Sequence, residues 1–210
     1  MSFFNFIKII SYLPLRLVFP VKIIGKENFD NEKAVLTCNH YSAADVVVIA
    51  SRLLWGNCCC VGKEETFRNK IVGWLFTKCG AISIHRGEND MEAFKRILQV
   101  LKDGKQLLIF PEGTRNRDET PMPAPFQEGA ALFACRTDSP VIPMVYQRKL
   151  RPFKRNYLMI GKKIDMSEFK GKGSKGAREE GTAYLYKVTC DMKRELDEMV
   201  ARKKKKKSEK

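Results

Sequence analysis

Histidine is scarce in this chain, with His40 and His85 the two that occur among 210 residues. No pair of histidines or cysteines has the spacing of a metal site, so the sequence predicts no bound metal. A G-x-S-x-G motif is also absent, so a serine hydrolase would lack its expected nucleophile. A catalytic base that works near neutral pH must therefore be sought among very few groups.

The seven cysteines lack the pattern of a disulfide framework. Their number is odd, no C-x-x-C motif occurs, and they lie in apolar surroundings, three of them adjacent at 58–60. This usage is typical of free thiols in a reducing cytoplasm. Cys38 is a possible nucleophile, although a buried cysteine of a strand is more often a packing residue.

A long uninterrupted hydrophobic run is missing as well. The most apolar stretch, residues 3–24, contains Lys8, Arg16, Lys22 and two prolines, whereas a membrane-spanning helix needs about 20 mostly apolar residues. No signal-peptide cleavage site follows it. The composition predicts that residues 1–24 form a helical segment that lies in a membrane interface. The alternative is a hydrophobic helix packed on the core of the protein.

Positive charge, by contrast, is abundant. Thirty-nine Lys and Arg residues against 24 Asp and Glu give a net charge of +15, which suits an anionic membrane, a phosphorylated small molecule or a nucleic acid. No RNA-binding motif with interleaved aromatic residues is visible, so no nucleic-acid partner is expected. A basic RNA-binding or catalytically silent lipid-binding module is the alternative outside the enzyme class. Residues 201–210, with Arg202 and five consecutive lysines, are predicted to form a polybasic tail that attracts an anionic membrane surface.

Residues 25–200 are predicted to form one domain, because short apolar runs alternate there with helical patterns. Candidate strands lie at 34–38, 58–61, 81–84, 106–110, 141–145 and 157–160, and candidate helices at 44–54, 70–78, 90–102 and 129–136. A loop is predicted at 170–181, followed by a last helix. This alternation is typical of an α/β fold with a largely parallel sheet flanked by helices.

The run N-H-Y-S-A-A-D at 39–45 follows the first candidate strand. Imidazole is the usual general base, and an aspartate that accepts the second ring N–H orients it and stabilises the imidazolium. The spacing suits such a pair, with His40 in a turn and Asp45 in the first turn of a helix. The alternative is a histidine satisfied in the core and an aspartate that serves as a charge at the helix start.

A second run, F-P-E-G-T-R at 110–115, follows another candidate strand. Gly113 allows backbone to approach a ligand closely, and Arg115 can bind a phosphate in bidentate fashion. Lys63 and Arg86 each follow a candidate strand and are plausible companions. For each of these cations the alternative is a solvated surface position. Loops at one end of the strands carry function in open α/β sheets, and both runs lie in such loops.

Together with G-A-I-S-I-H-R at 80–86 and V-I-P-M at 141–144, these runs resemble the sequence blocks of the glycerolipid acyltransferase family over roughly residues 20 to 165. The resemblance implies the fold of that family. It also implies transfer of a fatty acyl group from acyl-CoA or acyl carrier protein to 1-acyl-sn-glycerol 3-phosphate, which makes phosphatidic acid in phospholipid biosynthesis. Glycerol 3-phosphate or another lysophospholipid is the alternative acceptor.

The resemblance further implies that no cofactor is needed besides the acyl donor, and that the enzyme works at the cytoplasmic face of the membrane as a peripheral or monotopic protein. His40 would be the base and Asp45 its orienting partner. The substrate-binding residues would be Lys63, Arg86, Glu112, Gly113, Thr114 and Arg115. Of these, Arg86 and Arg115 would hold the phosphate of the acceptor, with Lys63 a weaker candidate. The family often has a smaller or acidic residue where this chain has His85.

Overall fold

The computed structural model describes residues 12–53, 58–68, 70, 73–74, 77, 80–84 and 90–208. Within these residues a seven-stranded sheet is flanked by helices. The strands are β1 (Val21–Ile24), β2 (Ala34–Cys38), β3 (Cys58–Lys63), β4 (Ile82–Ile84), β5 (Gln106–Ile109), β6 (Val141–Tyr146) and β7 (Asn156–Ile160). The helices are α1 (Ala43–Arg52), α2 (Glu64–Phe67), α3 (Met91–Lys102), α4 (Gly129–Thr137), α5 (Ser167–Gly171) and α6 (Gly173–Ser208).

The strand order is β1-β7-β6-β2-β5-β3-β4. The neighbours from β6 to β4 run parallel, β7 joins β6 in the antiparallel direction, and β1 lies parallel to β7. The predicted α/β class with a largely parallel sheet is therefore confirmed. Parallel strands bring the carboxyl ends of β6, β2, β5, β3 and β4 to one edge of the sheet, where the loops that carry the two motifs meet.

Both faces of the sheet are covered, because successive side chains of a strand point to opposite sides. Val35 and Leu107 belong to a core formed with α3, α4 and the first half of α6. Leu36 and Leu108, their neighbours in sequence, belong to a second core formed with α1. Every residue of β2 is buried, which explains why this strand has a continuous apolar pattern in the sequence.

Two segments differ from the sequence-based expectation. Residues 21–24, which the composition placed in the membrane-associating segment, form the edge strand β1 and pair with β7. The loop predicted at 170–181 was wrong, because α5 and α6 occupy this region with one residue between them. Its glycines permit close packing: a Cβ on Gly181 would lie 3.3 Å from the Cβ of Ala131 in α4.

The two ends of the chain are described only in part. Residues 12–18 are helical, while residues 1–11 lie outside the described residues. The basic residues from 201 onward continue α6 as far as Ser208. The helix predicted at 70–78 falls mostly outside the described residues. Among the helices that are described, none has the length and apolar character required to cross a membrane.

Candidate active site

The turn between β2 and α1 is held against β6 by Asn39. Its Oδ1 accepts the backbone N–H of Tyr146 at 2.7 Å, and its Nδ2 donates to the carbonyl oxygen of the same residue at 3.0 Å. The buried amide thus continues the pairing of β2 with β6 for one more residue. It fixes the point at which His40 leaves the sheet.

His40 and Asp45 form the pair that their spacing predicts, with 3.0 Å between Nδ1 and Oδ2. The Asp45 side chain is fully buried, whereas 14% of the His40 side chain is exposed. The ring of His40 also stacks on Phe110, with 4.1 Å between the centroids. A proton on Nδ1 that is donated to Asp45 leaves Nε2 as the basic nitrogen. In the described part of the chain, Nε2 has no hydrogen-bond partner.

Asp45 also organises the first turn of α1. Its Oδ2 accepts the backbone N–H groups of Tyr41 and Ser42 at 2.7 Å each, and its Oδ1 accepts the Ser42 hydroxyl at 3.2 Å. Ser42 is the N-cap residue, so a carboxylate at the third helical position satisfies its free N–H, as in a capping box. One carboxylate therefore both caps the start of α1 and hydrogen-bonds the ring of His40, while its part in catalysis stays a prediction.

Glu112 ties the loop after β5 to His40. It is 4% exposed, and its Oε1 accepts the His40 backbone N–H at 2.7 Å while its Oε2 accepts the Ala124 N–H at 2.8 Å. Burial raises the pKa of Glu112, although the two backbone donors act in the opposite direction. Because both oxygens are engaged, this carboxylate holds loop 111–128 in place.

The residues after Glu112 reach the surface beside His40. Gly113 has φ 68°, in the left-handed region that favours glycine. Thr114 and Arg115 are exposed, and the N–H of Asn116 donates to the carbonyl oxygen of His40 at 2.7 Å. The structure therefore brings together the predicted residues His40, Asp45, Glu112, Gly113, Thr114 and Arg115.

The two other predicted cations come from the far strands of the same sheet edge. Lys63 is the last residue of β3 and is half-buried. Since β3 pairs with β5, it lies on the opposite side of the β5 loop from His40. Arg86 and His85 follow β4 but lie outside the described residues, so the convergence of Arg86 on this site stays a prediction.

Neither side chain that could act as a nucleophile is suited to that role. Cys38 is 1% exposed, and burial raises the pKa of its thiol well above the ordinary value. Ser42 is engaged with Asp45. Six cysteines of the described segments are free thiols, as their pattern in the sequence predicts. The arrangement can therefore supply a base at Nε2, and neither of these two side chains is placed to form a covalent intermediate.

Sequence reasoning missed two residues that position the base. Asn39 anchors the turn to β6, and Phe110 supports one face of the imidazole. Both stand at the start of the motif runs, Asn39 directly before His40 and Phe110 two residues before Glu112, and this place was the only available signal. Their partners are set by strand order, which the sequence does not reveal.

Comparison with known proteins identifies relatives of this chain. A sequence model of the family described as Acyltransferase matches residues 20–147. A 1-acyl-sn-glycerol-3-phosphate acyltransferase of Bacillus subtilis is 27% identical over 185 residues, which cover 85% of this chain and 91% of the relative. One from Cocos nucifera is 31% identical over 144 residues, which cover 67% of this chain and 46% of the relative.

A solved structure has the same fold. The crystal structure of the 1-acyl-sn-glycerophosphate acyltransferase PlsC from Thermotoga maritima superposes with a TM-score of 0.70 at 22% identity, over 94% of this chain and 78% of that one. The matched region of the family model contains His40, Asp45 and the run at 110–115 and spans more than half of the chain. The chain belongs to the Acyltransferase family and is an acyltransferase.

Proposed function

We propose that this enzyme transfers a fatty acyl group from an acyl thioester to the free hydroxyl of 1-acyl-sn-glycerol 3-phosphate and so makes phosphatidic acid. The observation that carries the proposal is the His40–Asp45 pair, 3.0 Å apart, in a chain of this family. The loop that bears the exposed Arg115 is bonded to the backbone of His40 through Asn116. The names of the Bacillus and Cocos relatives support the choice of acceptor.

In this reaction, His40 Nε2 takes the proton of the acceptor hydroxyl as the hydroxyl oxygen attacks the carbonyl carbon of the thioester. Asp45 accepts the Nδ1–H and stabilises the imidazolium that forms. The new C–O bond replaces the C–S bond, and the proton held by His40 passes to the departing thiolate. The products are the ester and a free thiol, with no acyl group attached to the enzyme.

The phosphate of the acceptor binds to Arg115, with Lys63 and Arg86 as further cations. Arg115 is exposed, and no carboxylate of the described residues pairs with it. A guanidinium can bind two phosphate oxygens at once. Asn116, the next residue, is bonded to the backbone of His40, which places the backbone of Arg115 near the base.

The enzyme works, in this proposal, on the anionic cytoplasmic face of a membrane. The helix at 12–18 exposes 61% of Leu13 and 64% of Leu17, one turn apart. Phe153 is 77% exposed, and its backbone N–H donates to Val18 at 2.6 Å, which sets it beside that helix. An apolar patch of this kind suits insertion into one leaflet.

Sedimentation with anionic vesicles tests the proposed binding to a membrane. Replacing Leu13 and Leu17 with Ser should weaken binding at every salt concentration, because apolar insertion is not screened. Deleting residues 202–210 should weaken binding only at low salt, because charges are screened over about 8 Å at physiological ionic strength. Tyr184→Ser, which alters an exposed apolar residue of α6, is the matched control. Unchanged binding of the Leu13 and Leu17 variant would refute insertion by this patch.

Release of CoA from a long-chain acyl-CoA tests the reaction. Thiol should appear only when 1-acyl-sn-glycerol 3-phosphate is added, and His40→Ala should abolish it while His85→Ala does not. Faster turnover of glycerol 3-phosphate or of another lysophospholipid would replace the proposed acceptor. Silence with every acceptor, and with acyl carrier protein as donor, would favour a lipid-binding or RNA-binding module.

A further inference from the structure

A second group of cations lies beside the turn that carries His40. A cleft of about 430 Å³ opens next to Tyr41, between loop 111–128, the segment after β6 and the last turns of α6. Its basic lining residues are Arg148, Arg151, Lys193 and Lys204. All four lie beyond residue 147, where the match to the family model ends. A volume of this size is within the ordinary range for a small-molecule site.

The acidic residues of the cleft are already paired. Glu119 binds Lys149 at 3.2 Å, and Asp197 forms an ion pair with the buried Lys193. Gln147 donates to the other oxygen of Asp197 at 3.0 Å. Within the described parts of the chain, Arg148, Arg151 and Lys204 have no such carboxylate partner. The cleft therefore keeps an excess of positive charge.

Arg148 gives the most specific indication of a ligand. Its Nε is buried and has no acceptor within hydrogen-bond distance among the described residues. A buried donor that lacks an acceptor costs about 1–3 kcal/mol, and more where the group is charged. Such groups are uncommon in native proteins, and each calls for an explanation. Arg148 lines the cleft, and an anion there would balance its unpaired charge.

Of the cations proposed for the acceptor phosphate, neither Lys63 nor Arg115 lines this cleft. Lys63 ends β3, which is separated from β6 by β2 and β5. Arg115 belongs to loop 111–128, whose residues 119–121 reach the cleft, but Arg115 itself is not among the lining residues. Acyl transfer joins two reactants that both carry phosphate, so each can have its own group.

We propose that this cleft binds the phosphate groups of the acyl donor while the acceptor phosphate is held by Arg115. Acyl-CoA and acyl carrier protein share this chemistry, since both carry phosphate at the far end of a pantetheine arm from the thioester. The donor phosphate must therefore bind away from the reacting carbonyl. Tyr41, which follows His40 in sequence, lines the cleft together with Arg148 and Lys204, so the cleft adjoins the turn that carries His40.

This proposal rests on the acyltransferase reaction proposed above. Its test uses two measurements, so that an error in the proposed reaction can be told apart from an error in the proposed donor site. The first is calorimetric binding of free CoA to the full chain, which needs no turnover. The second is the KM for the donor and for the acceptor, measured with acyl-CoA and with acyl carrier protein as alternative donors. Arg148→Gln and Lys204→Gln are the variants, and Lys187→Gln, an exposed lysine elsewhere on α6, is the control.

We expect Arg148→Gln to weaken CoA binding, or to raise the KM for at least one donor, by about tenfold or more. Lys204→Gln should also weaken donor binding, by a smaller factor. Because Lys204 is exposed, this substitution should not disturb the fold. The KM for the acceptor should stay unchanged. A selective rise in the acceptor KM, or no change in any readout, would overturn the proposal. Binding of CoA that depends on Arg148, without acylation of the lysophospholipid, would retain the cleft and refute the proposed acceptor.

Discussion

The turn that carries His40 and the cleft beside it differ in how their charged side chains are paired. In the turn, the acids are buried and fully engaged: Asp45 accepts two backbone N–H groups as well as the imidazole, and Glu112 accepts two more. In the cleft, the acids are paired with lysines, and the arginines have no carboxylate of the described residues beside them.

This difference separates the groups that must be in place before substrate arrives from those that substrate completes. A base is effective only if its geometry is fixed in advance, so its anionic partners are built from the chain itself. Cations that bind a phosphate must not be neutralised by the protein. The same rule applies to Arg115, which is exposed and has no carboxylate partner in the described segments.

Removing the base should have the largest effect on turnover. His40→Ala deletes the group that accepts the hydroxyl proton, and positioned general bases contribute about 10²–10⁴-fold to rate. The backbone of His40 is hydrogen-bonded to Glu112 and to Asn116 of loop 111–128. Circular dichroism and thermal melting must therefore show that the variant is folded. A folded His40→Ala enzyme with a substantial part of normal turnover would disprove the mechanism.

Two substitutions of Asp45 separate the contribution of its negative charge from the contribution of its hydrogen-bond geometry. Tyr41 and Ser42 donate to the same oxygen that faces His40, so an asparagine should place its carbonyl oxygen there and keep the tautomer. Asp45→Asn then loses the charge alone, and we expect kcat to fall about ten- to a hundredfold. Asp45→Ala also leaves buried N–H groups without an acceptor and should be slower and less stable. Equal kcat and melting temperatures for the two variants would contradict this division.

Substitution of Arg115 tests whether this cation binds the acceptor and not the acyl donor. Arg115→Gln should raise the KM for 1-acyl-sn-glycerol 3-phosphate about tenfold or more, since it removes a charged hydrogen bond to phosphate. The KM for the acyl donor should change little. Arg136→Gln, at the far end of α4, serves as a control. An equal rise for donor and acceptor would show that Arg115 is structural.

We expect Glu112 to stabilise loop 111–128 against the His40 turn and not to contact the substrate. Glu112→Gln keeps the size of the side chain, but its amide N–H₂ group must face one of two backbone N–H donors. A buried donor left without an acceptor costs about 1–3 kcal/mol of unfolding free energy, which denaturant titration measures. We expect a lower kcat and an unchanged acceptor KM. Glu128→Gln, an exposed glutamate of the same loop region, should leave both quantities unaltered.

The central strands were predictable because they are buried on both faces. The strand predicted at 34–38 coincides with β2 (Ala34–Cys38), and the one at 106–110 exceeds β5 by one residue. Edge strand β1 was missed, since its neighbouring prolines and apolar residues resemble an interfacial segment. The start of α6 was missed because packing of Gly181 against α4 outweighs the low helix propensity of its glycines.

The same limit applies to the site. The His40–Asp45 pair follows from local spacing, so the sequence was sufficient to predict it. The contact of Glu112 with the His40 backbone depends on β5 lying beside β2. The anchor formed by Asn39 depends on β6 lying beside β2, which is a property of topology. The cations of the cleft are spread from Arg148 to Lys204, and each looks in sequence like an ordinary solvated side chain.

The smallest effect is expected at Cys38, and it tests whether the turn contains any further reactive group. Cys38 is 1% exposed, and burial together with the charges of Asp45 and Glu112 raises the pKa of its thiol. A raised thiol pKa means that the thiolate nucleophile is scarce near neutral pH. Cys38→Ala should therefore keep turnover close to that of the wild type, at a stability cost of about 1 kcal/mol for one deleted buried atom. Mass spectrometry after mixing with acyl-CoA should show no acyl group on the protein. Acylation that disappears in Cys38→Ala, together with loss of turnover, would replace direct transfer by a covalent mechanism.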